Sequence, residues 1–259
     1  MAEKLIVAII QGDLKWENIP TNLAYFEKKI ESLSSEVDLI VLPEMFSTGF
    51  TMNAAELAEP LDGAGLTWMR KIADLRKVAI TGSLIVHQNG KFYNRLYFVE
   101  PDGSYHHYDK RHTFTFAGED KVFTAGEKRI VITYKGWRIC PLICYDLRFP
   151  VWSRNTEQYD LLLYVANWPQ ARVEAWDTLL KARAIENMSY CIGVNRVGVD
   201  GNGHHYSGHS NIYDCLGRPL LSERENEFQH EVGLEKSSLY EIRGKMKFLQ
   251  DQDNFQLLL

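Results

Sequence analysis

Arg138-Ile139-Cys140-Pro141-Leu142-Ile143-Cys144-Tyr145-Asp146-Leu147-Arg148-Phe149-Pro150 is the stretch whose reading decides the fold. It begins as an apolar run of strand character and turns polar at Cys144, where a helical turn is expected to start. A buried strand that feeds a helix belongs to an α/β architecture. Cys144 stands at the junction. Backbone N–H groups at such a turn favour a thiolate and can hold an oxyanion, so the thiol is placed to be a nucleophile. A small buried hydrophobe suits the same position, and position alone leaves both readings open.

Outward from this stretch, strand-like runs recur with helical segments between them. Residues 5–10 and 37–42 read as strands, and Leu23, Phe26, Ile30 and Leu33 lay a helical stripe along 22–33. A second helix is expected over 66–75. Residues 78–86 and 91–100 read as a strand pair joined by Gln88-Asn89-Gly90, with a further strand at 104–109. Lys135-Gly136 connects strands at 128–134 and 137–143. A short buried strand at 161–166, a helix over 174–187 and strands at 190–197 and 210–214 follow. Asp214-Cys215-Leu216-Gly217-Arg218 reads as the turn before a last strand. Buried runs mixed with hairpins imply a mixed sheet covered by helices. No repeat or proline-rich linker divides the chain, so residues 1–259 are expected to form one domain. Residues 221–232 read as a late loop or strand, and the tail from about 243 as an arm with an apolar end.

Composition sets further bounds. The 259 residues are 45% hydrophobic and 24% charged, enough for one substantial core. A net charge of −5 gives no reason to expect nucleic acid or an anionic membrane as a partner. The first ten residues lack a signal-peptide pattern, and no apolar run reaches membrane-spanning length. The four cysteines, at 140, 144, 191 and 215, include no C-x-x-C pair, so neither a disulfide scaffold nor a zinc ribbon fits. A reducing cytoplasm is the expected setting.

Three more residues share the placement of Cys144. Glu44 directly follows a strand, between Pro43 and Phe46, where partial desolvation would raise its proton affinity and suit a general base. Lys110 follows the 104–109 strand and would stabilise an oxyanion beside a carboxylate. Glu119, in the aromatic and glycine-containing loop 114–120, is a second carboxylate, with Asp120 next to it. Each is also consistent with an ordinary solvated charge. His204, His205 and His209 raise two other ideas, a Cys–His thiol site or a metal. Their glycine-rich setting reads as a mobile loop with no third ligand, so no metal and no cofactor are expected.

Taken in order, Leu42-Pro43-Glu44, Asp109-Lys110-Arg111-His112 and Ile143-Cys144-Tyr145-Asp146 resemble the carbon–nitrogen hydrolase (nitrilase) superfamily. Thr81-Gly82-Ser83, Tyr93-Asn94, Phe123-Thr124-Ala125-Gly126 and the segment 181–187 add to the likeness, which runs from Leu5 to about Leu220. Several motifs in fixed order are far more specific than any one alone. The resemblance implies an α-β-β-α sandwich with two mixed sheets, extended on dimerisation. It implies Cys144 as nucleophile, Glu44 as base, Lys110 and the Tyr145 N–H at the oxyanion, and Glu119 as a supporting acid. Cys144-Tyr145-Asp146-Leu147-Arg148-Phe149, the segment 112–119 and Asn167-Trp168-Pro169 look most like the ω-amidase branch. That branch cleaves the terminal amide of 2-oxoglutaramate and 2-oxosuccinamate; another amidase, a carbamoylase, a nitrilase and a non-catalytic protein of the same fold are the alternatives. Phe116, Asn167 and Trp168 are candidate substrate contacts. Arg148 could hold a substrate carboxylate, but a structural salt bridge is the favoured reading. The expected partners are a small amide and a second copy of the chain, with the apolar segment 255–259 docked on it.

Overall fold

Alternation along the first strand, β1 (Lys4–Gln11), sets up two cores: Leu5, Val7 and Ile9 enter one, Ala8 and Ile10 the other. The computed structural model describes residues 4–222 and 225–257. After β1 come α1 (Ile19–Glu31), β2 (Leu39–Val41), α2 (Ala54–Leu57), α3 (Ala64–Arg76), β3 (Ala79–Gln88), β4 (Lys91–Val99) and β5 (Tyr105–Asp109). The second half holds β6 (Ile132–Tyr134), β7 (Trp137–Ile143), α4 (Pro150–Ser153), β8 (Leu161–Val165), α5 (Val173–Glu186), β9 (Tyr190–Val194), β10 (Val197–Val199), β11 (His205–Ser207), β12 (Asn211–Tyr213), β13 (Phe228–Glu235) and α6 (Lys236–Met246).

Two mixed sheets result, ordered β13-β1-β2-β3-β4-β5 and β12-β9-β8-β7-β6, with a small β10-β11 hairpin beside them. In each, three parallel strands are flanked by antiparallel ones: β1, β2 and β3 in the first, β7, β8 and β9 in the second. Helices α1 and α3 cover the outer face of the first sheet through Phe26, Ile30, Met69 and Ile72. The outer core of the second sheet includes Trp176, Leu180 and Ala184 of α5. Leu96, Phe98, Ile139 and Leu163 belong to the core shared by both sheets. The architecture is thus the α-β-β-α sandwich. Helix α1 begins where chemistry dictates: the Asn18 side chain accepts the Thr21 N–H, and Pro20 sits in the first turn.

Several expectations change in detail. Within the 221–232 segment β13 begins only at Phe228, pairs with β1 along its length and reaches 235; residues 223 and 224 lie outside the described residues. No strand directly follows the 214–218 turn, where Tyr213 and Pro219 form only an isolated bridge; the last strand is β13. The tail stays helical to Met246 in α6, so the arm starts later than 243. Buried Asp160 explains this, because it anchors both Lys236 (3.0 Å) and Arg243 (3.2 Å) of that helix. The glycine-rich 201–209 segment is partly a hairpin strand. Asp200 ties its tip by accepting the N–H groups of Asn202 and His204 and the Tyr206 hydroxyl.

Candidate active site

The ends of four strands converge. The chain leaves β2 into Glu44, β5 into Lys110, β7 into Cys144 and β8 into Asn167, the carboxyl-edge position where open α/β sheets build their sites. Met45 and Cys144 both adopt positive φ, 42° and 43°. Each such non-glycine residue costs on the order of 1–3 kcal/mol, which marks these turns as sharply imposed.

Lys110 is the hub. Its ammonium lies 2.8 Å from Glu44 Oε1 and 3.0 and 2.9 Å from the two oxygens of Glu119, with all three side chains buried. Burial alone would lower its pKa, but the charges of Glu119 and Glu44 outweigh it and push the pKa above the ordinary lysine value. The pKa of the Glu119 carboxyl is raised as well, but here desolvation does the raising and Lys110 opposes it. Asp120 is exposed and takes no part. Asn94 donates to Glu44 (2.8 Å) and Glu119 (3.2 Å), and its own oxygen accepts from Ser83. The backbone N–H of Phe114 holds the second Glu119 oxygen at 2.6 Å.

Cys144 is 8% exposed at the floor of a cavity of about 480 Å³ that Lys110 also lines. Its thiol is pushed well above the ordinary value, first by burial and then by the negative charge of Glu44, with Lys110 opposing. Burial and Glu44 thus favour the neutral thiol, whose activation calls for a base. The thiol donates to the Asn167 carbonyl at 3.9 Å, and Glu44, the carboxylate whose charge acts on it, is fixed by the backbone N–H of Asn167 at 2.8 Å.

The remaining candidates spread around the cavity. Asn167 lines the cavity and spends one of its two amide hydrogens on the Glu44 carbonyl. Trp168 is a buried wall, its indole N–H donating to the Arg172 carbonyl. Phe116 is 85% exposed and stands at the mouth against Phe114, so it is a rim and not a wall. The Tyr145 ring packs against Phe114 and Phe149. The histidines do not converge: His204 lines the cavity, whereas His209 pairs with Asp177 at 2.8 Å.

Arg148 overturns the salt-bridge expectation. It has no carboxylate partner among the described residues; its guanidinium lies over the Trp168 ring at 4.9 Å and lines the cavity. Arg172, which sequence reasoning missed, does the same over Phe114 at 5.1 Å. Asn94 entered the sequence reading only as part of the Tyr93-Asn94 segment, with no role assigned, and Phe50, whose ring lies 5.2 Å from the Lys110 ammonium, was missed. Neither arginine carries a local signal that separates it from a surface cation.

The model of the carbon–nitrogen hydrolase family matches residues 6–235. The chain is 46% identical to omega-amidase YafV of Yersinia enterocolitica, over 98% of this chain and 99% of that protein. It is 32% identical to a 2-oxoglutaramate amidase of Bacillus subtilis, over 96% and 97% of the two chains. Among solved structures, the CN-hydrolase superfamily protein XC1258 of Xanthomonas campestris, which carries an arsenic adduct in its active site, superposes with a TM-score of 0.97. That match has 42% identity and covers 99% of this chain and all of that one.

Proposed function

The chain belongs to the carbon–nitrogen hydrolase family, and from that premise we propose that it is an ω-amidase acting on small 2-oxo dicarboxylic acid monoamides. The observation that carries the chemistry is the Lys110 ammonium bridging two buried carboxylates beside the Cys144 thiol. Glu44 takes the thiol proton as sulfur attacks the amide carbon. Lys110 and the Tyr145 N–H hold the tetrahedral oxyanion. Glu44 then passes its proton to the nitrogen, ammonia leaves, and a thioester remains. A water molecule gives its proton to Glu44, attacks the thioester and releases the acid, and the proton returns to sulfur. Glu119 accepts from Lys110 throughout and keeps it charged and aimed.

Arg148 and Arg172 supply the substrate class. Two guanidiniums without carboxylate partners in the wall of a cavity with a nucleophile at its floor suit a substrate whose far end is a carboxylate. Trp168 and Phe114 back the two guanidiniums. The protein is expected to act in the cytoplasm as one domain, and as a homodimer. Half-exposed Val151 of α4 supports this: with Phe255 and Leu257 of the tail it leaves apolar surface uncovered in a depression that Arg129 and Glu157 also line. Leu258 and Leu259 of the apolar end lie outside the described residues.

Steady-state ammonia release from 2-oxoglutaramate, glutamine and a simple nitrile tests this. The oxo-acid amide should be preferred, and a preference for the nitrile sinks the assignment. Arg172→Ala and Arg148→Ala should each raise KM for 2-oxoglutaramate by about 10- to 100-fold, in line with about 1.5–3 kcal/mol for a hydrogen bond to a charged group. Cleavage of an uncharged amide such as butyramide should change little.

A further inference from the structure

Asp146 is fully buried two residues past the nucleophile, and its carboxylate collects four donors from three separate segments. Oδ2 accepts the Tyr108 hydroxyl at 2.8 Å and the Ile143 N–H at 3.0 Å. Oδ1 accepts the His112 N–H at 3.0 Å and the His112 ring nitrogen Nδ1 at 2.8 Å. Because the carboxylate only accepts, that ring nitrogen carries its proton toward Asp146. The imidazole is clamped from outside by Phe149, stacked at 3.7 Å and 4°. The Tyr108 hydroxyl is held by the N–H groups of Trp152 (3.0 Å) and Arg111 (3.1 Å).

Tyr108 and His112 stand two residues to either side of Lys110, and Ile143 directly precedes Cys144. One carboxylate therefore ties both flanks of the lysine to the shoulder of the nucleophile. A turn that needed only a cap would use the Ile143 N–H and leave the rest of the charge to solvent. Here a buried charge is placed where donors from β5, the following loop and the nucleophile turn meet, and a buried carboxylate persists only when so satisfied.

We propose that Asp146, with His112 as its outer brace, is a positioning residue that sets the distance between the Lys110 ammonium and the Cys144 sulfur. It touches no reacting atom and acts through the two residues that do. This rests on the reading of Cys144 as nucleophile and Lys110 as oxyanion donor. Its consequence is selective: a step that needs sulfur and ammonium in register suffers far more when the staple is cut than one that feels the ammonium only through its charge. Misplacement by about 1 Å is enough to lower turnover about 100-fold.

The test compares amide turnover with alkylation of Cys144 by iodoacetamide, which forms no oxyanion. Asp146→Asn should lower kcat about 100-fold with KM within threefold, while the alkylation rate stays within about threefold of wild type. Because a change at a buried carboxylate can prevent folding, the half-exposed brace provides a second arm. His112→Leu should lower kcat about tenfold without moving alkylation or KM, and His112→Asn, whose side-chain N–H stands near Nδ1, should recover kcat to within threefold of wild type. Parallel losses of turnover and alkylation in soluble Asp146→Asn, or a His112→Asn enzyme no better than His112→Leu, overturn the positioning role alone. A wild-type protein that releases ammonia from no amide overturns the catalytic reading and this inference with it.

Discussion

At Cys144 two opposing effects meet, and their balance decides how the sulfur becomes a nucleophile. Lys110 favours the thiolate, but burial and the Glu44 charge together win and hold the thiol protonated. Attack therefore depends on proton transfer to Glu44 and not on a standing thiolate. Glu44→Gln separates the two. It removes the base, so turnover should fall about 100- to 10,000-fold. It also removes the charge that most opposes ionisation after burial, so the thiol pKa should drop and alkylation at pH 8 should become faster than in wild type. In the wild-type protein the sign runs the same way: the folded pKa is raised, so alkylation should keep climbing through pH 9 without levelling. A plateau near pH 7, measured by loss of free thiol, would mean a standing thiolate and a different mechanism. Of these residues, Glu44, Lys110 and Cys144 are legible in the sequence because each directly follows a strand. Arg172 is not, since its place in the cavity wall, with no carboxylate partner among the described residues, depends on a turn that brings it over Phe114.

Among elements, the end of β5 and the loop before β6 are locked at Gly126. Its N–H donates to the Lys110 carbonyl at 2.9 Å, and a methyl group on its Cα would lie 2.1 Å from the Asp109 carbonyl oxygen. No side chain fits there without moving the backbone that carries Lys110. Gly126→Ala should destabilise the protein by about 1–3 kcal/mol, the usual range for forced overpacking, as read by urea unfolding. It should lower kcat as well, because the shift falls on the lysine; an unchanged unfolding midpoint would refute the close approach. Asp109 is braced from the other side by a two-point ion pair with Arg95, at 2.6 and 2.9 Å. The quoted Phe123-Thr124-Ala125-Gly126 segment thus acquires a reason that sequence reading lacked: its glycine is a clearance, and clearance is a tertiary property.

For the whole molecule, the proposed dimer follows from surface left uncovered. Val151 is 49% exposed, Phe255 44% and Leu257 41%, and the three lie together over the face that Trp152 and Arg129 line. Sedimentation at micromolar concentration should give a dimer, and Val151→Asp should shift it toward monomer by placing an unpaired charge in the patch. A wild-type monomer would refute it. By itself, the sequence determined the alternation of strand and helix, a mixed sheet covered by helices, and the order Glu44, Lys110, Cys144 along the chain. Those features are local, because apolar period and turn chemistry are written in neighbouring residues. Only the tertiary structure decided that β13 pairs with β1 and that Glu119, not Asp120, meets the lysine. It alone decided that Arg148 faces a cavity instead of a carboxylate. The physical reason is shared: each depends on which distant group fills the space opposite, and a single sequence records a side chain's chemistry but not the partner that burial brings to it.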